Sequence, residues 1–314
     1  MLTLILGLFF LAFIVTLFFN FLKADGDFTL LSKRHVKREE IEDKVFWITG
    51  ASRGIGEVLA KQLASLGAKV IISARNETDL ERVKKQLTGK HAPSEVMVLP
   101  LDLTSGEDVL REAVDKAETF FAGAGVDYLI HNAAYERPAM FDVNVLGPIS
   151  LTKLLVPSML RRRRGHLVVM SSAAGKTPAP GQAVYSATKF ALNGYFHTLR
   201  SELCRKGIKV TVVCPGPIKT ANALGTSTSE ERASAEKRVP SERCAELTII
   251  AASHGLKEVW ISYQPVLAVM YLVQYLPTIG YWLMDKIGGK RVEAAAQKGN
   301  AYSLSLLFGK KKPS

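Results

Sequence analysis

Seven short apolar runs recur along the chain, at Lys44–Thr49, Lys69–Ser73, Glu95–Leu99, Tyr128–His131, His166–Met170, Lys209–Cys214 and Glu258–Ser262, with helix-length segments between them. Val45–Ile48, Val70–Ile72 and Leu167–Met170 are apolar without alternation, the pattern of strands covered on both faces of a parallel sheet. In the segment after the first run, Val58, Leu59, Leu63 and Leu66 share one face at helical period. Strands and helices in alternation predict right-handed βαβ units and a single doubly wound α/β domain over residues 44–262.

The two ends depart from this pattern. Leu2–Leu22 carries no charge and is rich in Leu and Phe; as a helix it would rise about 31 Å, enough to cross the hydrocarbon core. A cleaved signal peptide would call for a basic start and small residues at the cut, and neither is present. Residues 1–22 are therefore expected to be a retained membrane anchor, followed by a polar linker over 23–43. Pro265–Met284 is also long and apolar, but Gln274, Pro277 and Gly280 interrupt it. The segment 263–290 is expected to lie on the membrane surface as a flap over the active site, with a second span and an ordinary core helix as alternatives. Residues 291–314 form a basic tail.

Length and composition allow one large core: 314 residues, 47% of them hydrophobic. The formal net charge is +12, with local clusters at Lys33–Arg38, Arg161–Arg164 and Lys310–Lys312. No nucleic-acid-binding motif accompanies them, so an anionic membrane surface and an anionic cofactor account for the balance better than nucleic acid. Cys204, Cys214 and Cys244 lack metal-ligand spacing and suggest no disulfide framework; they read as small buried hydrophobes, and no metal site is expected.

Two motifs carry chemistry. Tyr185 and Lys189 stand four residues apart on a predicted helix, which stacks a phenol and an ammonium on one face. The ammonium favours the phenolate, drawing a tyrosine from its reference pKa of about 10 towards working pH, where it can exchange a proton with a hydroxyl or carbonyl oxygen. The other motif is Thr49-Gly50-Ala51-Ser52-Arg53-Gly54-Ile55-Gly56, which follows the first strand and opens the first helix. Strand, glycine turn and helix is the context of a dinucleotide site: glycines admit the pyrophosphate, and the helix N-terminus offers unpaired N–H groups to it.

Together with Asn132-Ala133-Ala134, Ser171-Ser172 and Pro215-Gly216-Pro217, in that order, these residues resemble the short-chain dehydrogenase/reductase family over roughly Lys44–Ile261. The flanks, Lys23-Ala24-Asp25-Gly26-Asp27 and Lys257–Ser262, look like its membrane-anchored branch of member 7-like enzymes, close to the 11β-hydroxysteroid-dehydrogenase-like ones. The resemblance implies a Rossmann-type fold and hydride exchange between a nicotinamide cofactor and an alcohol or carbonyl. It implies that Ser172 hydrogen-bonds the substrate oxygen, that Tyr185 moves its proton and that Lys189 also binds the nicotinamide ribose. Asn144 resembles the fourth member of the set, which holds a water in the proton relay to the lysine. The adjacent Ser171 suits a turn-capping role instead. Gly50, Ser52, Arg53, Gly54, Ile55 and Gly56 would cradle the pyrophosphate, Asp102 would contact adenine, Asn132 would steady the central strand, and Pro215, Gly216, Ile218 and Thr220 would fix the nicotinamide face. An acid at the end of the second strand would select NAD(H), but the strand ends at Ser73-Ala74-Arg75; Arg75 with Arg53 argues for NADP(H).

The chain departs from the family in one place. Asn132 and Asn144 are only 12 residues apart, about half the family's distance, although twelve extended residues could still span about 40 Å. The missing part is the end of a loop and the first turns of a helix that helps these enzymes form homodimers; Tyr135–Met140 reads as its remnant, as a spliced form would leave it. Two readings follow: a membrane-bound NADP(H)-dependent oxidoreductase acting on a lipophilic substrate of steroid or retinoid type, or a catalytically impaired cofactor-binding scaffold. No Lys or Arg precedes Leu2–Leu22, whereas Lys23, Lys33, Arg34, Lys37 and Arg38 follow it, which places the domain in the cytosol. Lys311-Lys312-Pro313-Ser314 resembles a dilysine signal for the endoplasmic reticulum. Asn76-Glu77-Thr78 fits a glycosylation pattern, but a glycan there would obstruct Arg75.

Overall fold

The computed structural model describes residues 2–135, 140–220 and 238–296. Seven strands form one parallel sheet: β1 (Val45–Thr49), β2 (Lys69–Ser73), β3 (Met97–Val98), β4 (Tyr128–His131), β5 (Gly165–Met170), β6 (Ile208–Pro215) and, after the short pair β7 (Ile218–Lys219) and β8 (Val239–Pro240), β9 (Glu258–Ile261). Their order is β3-β2-β1-β4-β5-β6-β9, so all seven apolar runs become strands of the expected doubly wound Rossmann sheet. The strand order reverses between β1 and β4, and a crevice opens beyond the carboxyl ends of the strands at such a point.

Helices cover both faces, which explains why the strands are apolar throughout. Trp47, Ile71, Leu129, Leu167 and Val212 point to the layer of α5 (Glu107–Thr119), α6 (Gly147–Arg162) and α7 (Ala183–Leu203), where Leu110, Leu151 and Phe196 meet them. Their neighbours Phe46, Ile48, Val70, Ile72, Ile130 and Val213 point the other way. They pack on α3 (Gly54–Ser65), α4 (Glu77–Lys84) and α8 (Ser241–Ser253) through Leu59, Leu63, Leu80 and Leu247. Cys214 and Cys244 are buried as expected, but Cys204 is exposed in the turn that ends α7. The basic run 161–164 is also less free than its composition suggests: Arg162 pairs with Glu118 and donates to Val126 O, and Arg164 pairs with Asp127 at 2.7 Å.

The helix α1 (Leu2–Lys23) is long and apolar enough to cross a membrane, and none of its 5–23 window is buried (mean hydropathy 2.6). The stretch 142–162 meets the same criterion, but 44% of it is buried as a core helix. The apolar segment after β9 is two helices rather than one, α9 (Val266–Tyr275) and α10 (Pro277–Ala296), broken at Leu276-Pro277. Leu267, Met270 and Val273 face the core, whereas Tyr275, Leu276, Ile279, Tyr281 and Trp282 are exposed. The dilysine stretch Lys311-Lys312 lies outside the described residues.

The stretch after α1 closes the edge of the sheet. Asp27 N donates to Trp260 O at 2.9 Å, while its carboxylate accepts the amides of Trp260 and Leu30 and so caps the short helix α2 (Phe28–Leu31). Burial pushes the Asp27 carboxyl upward against the pull of those backbone donors. Asp25 pairs with Arg243 at 2.8 Å. Gln264 Nε2 reaches Phe21 O at 2.9 Å, and the Phe21 ring meets Tyr271 edge-on at 5.7 Å. The foot of α1 is therefore fixed to β9 and α9 by these contacts.

An alanine at position 27 would leave the Trp260 amide on the sheet edge without its acceptor. Asp27→Ala should lower the stability of the detergent-solubilised chain by about 2 kcal/mol, seen as a lower denaturant midpoint. An unchanged midpoint would mean that this segment does not hold the edge.

Candidate active site

The turn after β1 is built around close backbone approach. Gly50 has φ +67°, a conformation that side chains disfavour, and a Cβ on Gly56 would lie 2.2 Å from Gly50 O and 2.5 Å from Asn132 Nδ2. Asn132 Nδ2 donates to Thr49 O and Gly50 O, each at 3.1 Å, so Asn132 ties the end of β4 to the turn. Among the described residues, only Thr220 Cγ2, at 3.9 Å, stands near a Cβ built on Gly54. Thr220, directly after β7, therefore faces this turn across the crevice. Amides bared by glycine at the start of α3, with open space beside them, form a cradle that fits a pyrophosphate. Arg53 at the N-cap and Arg75 after β2 are both exposed. Leu101 N bonds to Ala74 O at 2.9 Å, which brings Asp102 alongside Arg75; the Asp102 carboxylate accepts Thr104 N and Oγ1, both at 2.9 Å. Ser52 and Ile55 line the turn half-buried.

A brace behind this turn escaped the sequence reading. Arg82 in α4 donates to Ser52 O at 2.7 Å and to both oxygens of Glu57, at 3.2 and 2.9 Å, while Lys61 holds Glu57 at 2.6 Å. The only local signal was the i,i+4 spacing of Glu57 and Lys61; the Arg82 contact spans 30 residues. Asn76 Oδ1 caps α4 by accepting Asp79 N at 3.3 Å, a structural use for the asparagine of the glycosylation pattern.

Helix α7 carries the other half of the site to the carboxyl end of β5. Lys189 is buried, donates from Nζ to Met170 O at 3.0 Å and stands over the Tyr185 ring at 5.5 Å. Burial lowers its ammonium from the ordinary 10.5 to about 8. Of the two serines after Met170, the capping role expected of Ser171 falls to Ser172. Ser172 caps the turn at Ala173–Gly175 by accepting Ala174 N at 3.1 Å, with a long 3.5 Å contact to Pro215 O. Ser171, expected to be the cap, is buried and donates to Lys189 O at 3.4 Å instead. The reason is backbone position: Ser171 still belongs to the sheet, its N–H bonding Val213 O at 2.7 Å, so the turn starts one residue later. Gly216 N bonds Ile261 O at 2.9 Å, setting the loop of Pro215, Gly216 and Ile218 beside this end of the sheet.

Despite the shortened segment, Asn144 is fully buried in a π-helical turn, Asp142–Leu146, that opens directly into α6. Its carboxamide is occupied: Oδ1 accepts Tyr135 N at 2.7 Å, and Nδ2 donates to Tyr135 O at 3.0 Å and contacts Thr188 Oγ1 at 3.4 Å. The side chain thus clamps the remnant. Of that remnant, residues 136–139 lie outside the described residues.

The fold, the glycine turn and the Tyr185/Lys189 helix point one way, and a family model for short chain dehydrogenases matches residues 44–231. The chain belongs to the short-chain dehydrogenase family. It is 39% identical to the human dehydrogenase/reductase SDR family member 7 over 298 aligned positions, covering 87% of each chain. It is 35% identical to member 7B of Xenopus tropicalis over 268 positions, covering 78% of this chain and 85% of that one. A solved metagenomic short-chain oxidoreductase in complex with NADP superposes with a TM-score of 0.57 at 26% identity, over 71% of this chain and 96% of that one.

The buried ammonium has a thermodynamic signature. Lys189 titrates near 8 when folded and at 10.5 as a free side chain, so between those values the unfolded chain binds more protons and stability rises with pH. Lys189→Met should therefore be more stable than the parent at pH 7, by about 2 kcal/mol after loss of the bond to Met170. The advantage should shrink towards pH 10. Denaturant unfolding at several pH values reads it; a difference independent of pH contradicts the burial of a charge here.

Proposed function

We propose that this short-chain dehydrogenase is a membrane-anchored, NADP(H)-dependent oxidoreductase that interconverts a secondary alcohol and a carbonyl on a lipophilic substrate of steroid or retinoid type. The observation that carries the chemistry is the Lys189 ammonium, buried beside the Tyr185 ring and tied to the carbonyl that precedes Ser171-Ser172. When bound, the nicotinamide supplies or accepts hydride at the substrate carbon. The Gly50–Gly56 turn would hold its pyrophosphate, Arg75 and Arg53 the 2′-phosphate and Asp102 the adenine. Asn132 keeps the turn in shape, and Pro215, Gly216, Ile218 and Thr220 bound the nicotinamide side.

In the reducing direction Tyr185 gives its hydroxyl proton to the substrate oxygen. Ser172, whose hydroxyl makes a long 3.5 Å contact to Pro215 O, can donate to the same oxygen. The Lys189 charge stabilises the phenolate left behind. The NADP-bound structural relative supports the choice of cofactor. The impaired-scaffold alternative loses ground because the shortening is absorbed by a local π-turn that leaves Asn144 against α7.

The apolar ends fit a lipid-dissolved substrate. α1 is exposed and apolar over residues 5–23, and Tyr275, Leu276, Ile279, Tyr281 and Trp282 of the α9–α10 hairpin are exposed as well; we assign both to one apolar, membrane-facing side. We place that side in the membrane of the endoplasmic reticulum, with the catalytic domain in the cytosol, where a reduced NADPH pool favours carbonyl reduction. Phe141 and Leu146, just before α6, and Phe190 on α7 are exposed apolar side chains that a homodimer of the family's kind would cover, although the shortened segment weakens the case for one here.

With NADPH and a panel of apolar carbonyl compounds, Tyr185→Phe should lower turnover by about 10²–10⁴-fold while NADPH binding, followed by fluorescence, persists. Turnover that survives the substitution, or equal efficiency with NADH, contradicts the assignment. In sealed microsomes the catalytic domain should be degraded by added protease without detergent; protection would reverse the orientation.

A further inference from the structure

The residue that the Asn144 clamp fixes reaches across the crevice. Tyr135 follows β4, Arg75 follows β2, and β1 lies between those strands. The Arg75 guanidinium carbon nevertheless stands 5.3 Å from the centre of the Tyr135 ring, so the two side chains meet over the carboxyl end of β1, where the glycine turn departs. Tyr135 is not a loosely held partner. Its N–H and C=O are both bonded to the carboxamide of Asn144, which is itself buried against Thr188 of α7.

We propose that Tyr135 is a positioning residue for cofactor choice: a ring held by Asn144 on which the Arg75 guanidinium rests, oriented for the 2′-phosphate of NADP(H). The proposal rests on the reading of Arg75 as the 2′-phosphate ligand. A guanidinium packed on an aromatic ring is attracted through its face and keeps its N–H edge free for bidentate bonds to a phosphate. An exposed arginine without such support must give up rotamer freedom when the phosphate arrives, and holding it beforehand removes part of that loss. The shortened segment makes this possible, because it brings Tyr135 within reach of the Asn144 carboxamide nine residues away. NADH, which has no 2′-phosphate, gains nothing from the arrangement.

Dissociation constants of NADPH and NADH, measured on the full chain in detergent, test this with Tyr135→Leu, Tyr135→Phe and Arg75→Ala. Tyr135→Leu should weaken NADPH by about three-fold, the range of an exposed cation–π contact, and leave NADH unchanged. Tyr135→Phe, which keeps the ring, should bind both cofactors like the parent. In an Arg75→Ala background the leucine substitution should have no further effect on the ratio of the two constants. If Arg75→Ala lowers that ratio but Tyr135→Leu does not, or if Tyr135→Leu tightens NADPH, the ring is no platform and this inference fails alone. If Arg75→Ala leaves the ratio untouched, the reading of Arg75 fails and the inference with it. Equal weakening of NADPH and NADH by Tyr135→Leu would mark a merely structural residue and also overturn it.

Discussion

Lys189 carries an ammonium into a place that water does not reach, and much of the surrounding structure is arranged to keep it there. Its ammonium donates to the Met170 carbonyl, so the end of β5 fixes the head of the side chain while α7 fixes its stem. Burial, with no carboxylate paired to it among the described residues, lowers its affinity for the proton, to about 8. A fold selected for stability alone would place an apolar side chain here. What the charge supplies is a field at Tyr185, within a turn of helix, strongest because water is excluded. Ser171 adds a tie between β5 and α7 through Lys189 O, leaving Ser172 to project at the turn.

The same strategy of rigid mounting recurs away from the chemistry. Asp27 places a carboxylate on the edge of β9, and the ring cluster of Phe21, Phe28 and Tyr271 fills the angle between α1 and α9. An aspartate buried there is tolerated because backbone amides surround it. The outcome is that the apolar helix and the α9–α10 hairpin keep a fixed relation to the sheet, and so to the site at its carboxyl end.

Much of this was legible in the residues because it is local. Apolar runs such as Val45–Ile48 announce strands buried on both faces, and Tyr185 and Lys189 meet because helical spacing requires it. What was not legible depends on tertiary proximity. Arg82 grips Ser52 and Glu57 from the next βα unit, Asp27 meets a strand 233 residues later, and Asn144 turns its carboxamide to a backbone that a longer segment would have carried elsewhere. Likewise the expected capping by Ser171 shifted to Ser172, because a ladder bond to Val213 keeps Ser171 in the sheet, a pairing invisible in one strand's sequence. Cys204 differs from its fellows for a similar reason: it lies past the last buried turn of α7.

In the proposed mechanism, cofactor and substrate react only while Lys189 is charged. The most direct measurement is kcat/KM for NADPH as a function of pH, which reports the ionisations of the free enzyme. Because the ammonium is lost as pH rises through about 8, kcat/KM should fall across that region. A profile that stays flat to pH 9.5, or that rises, would contradict the account.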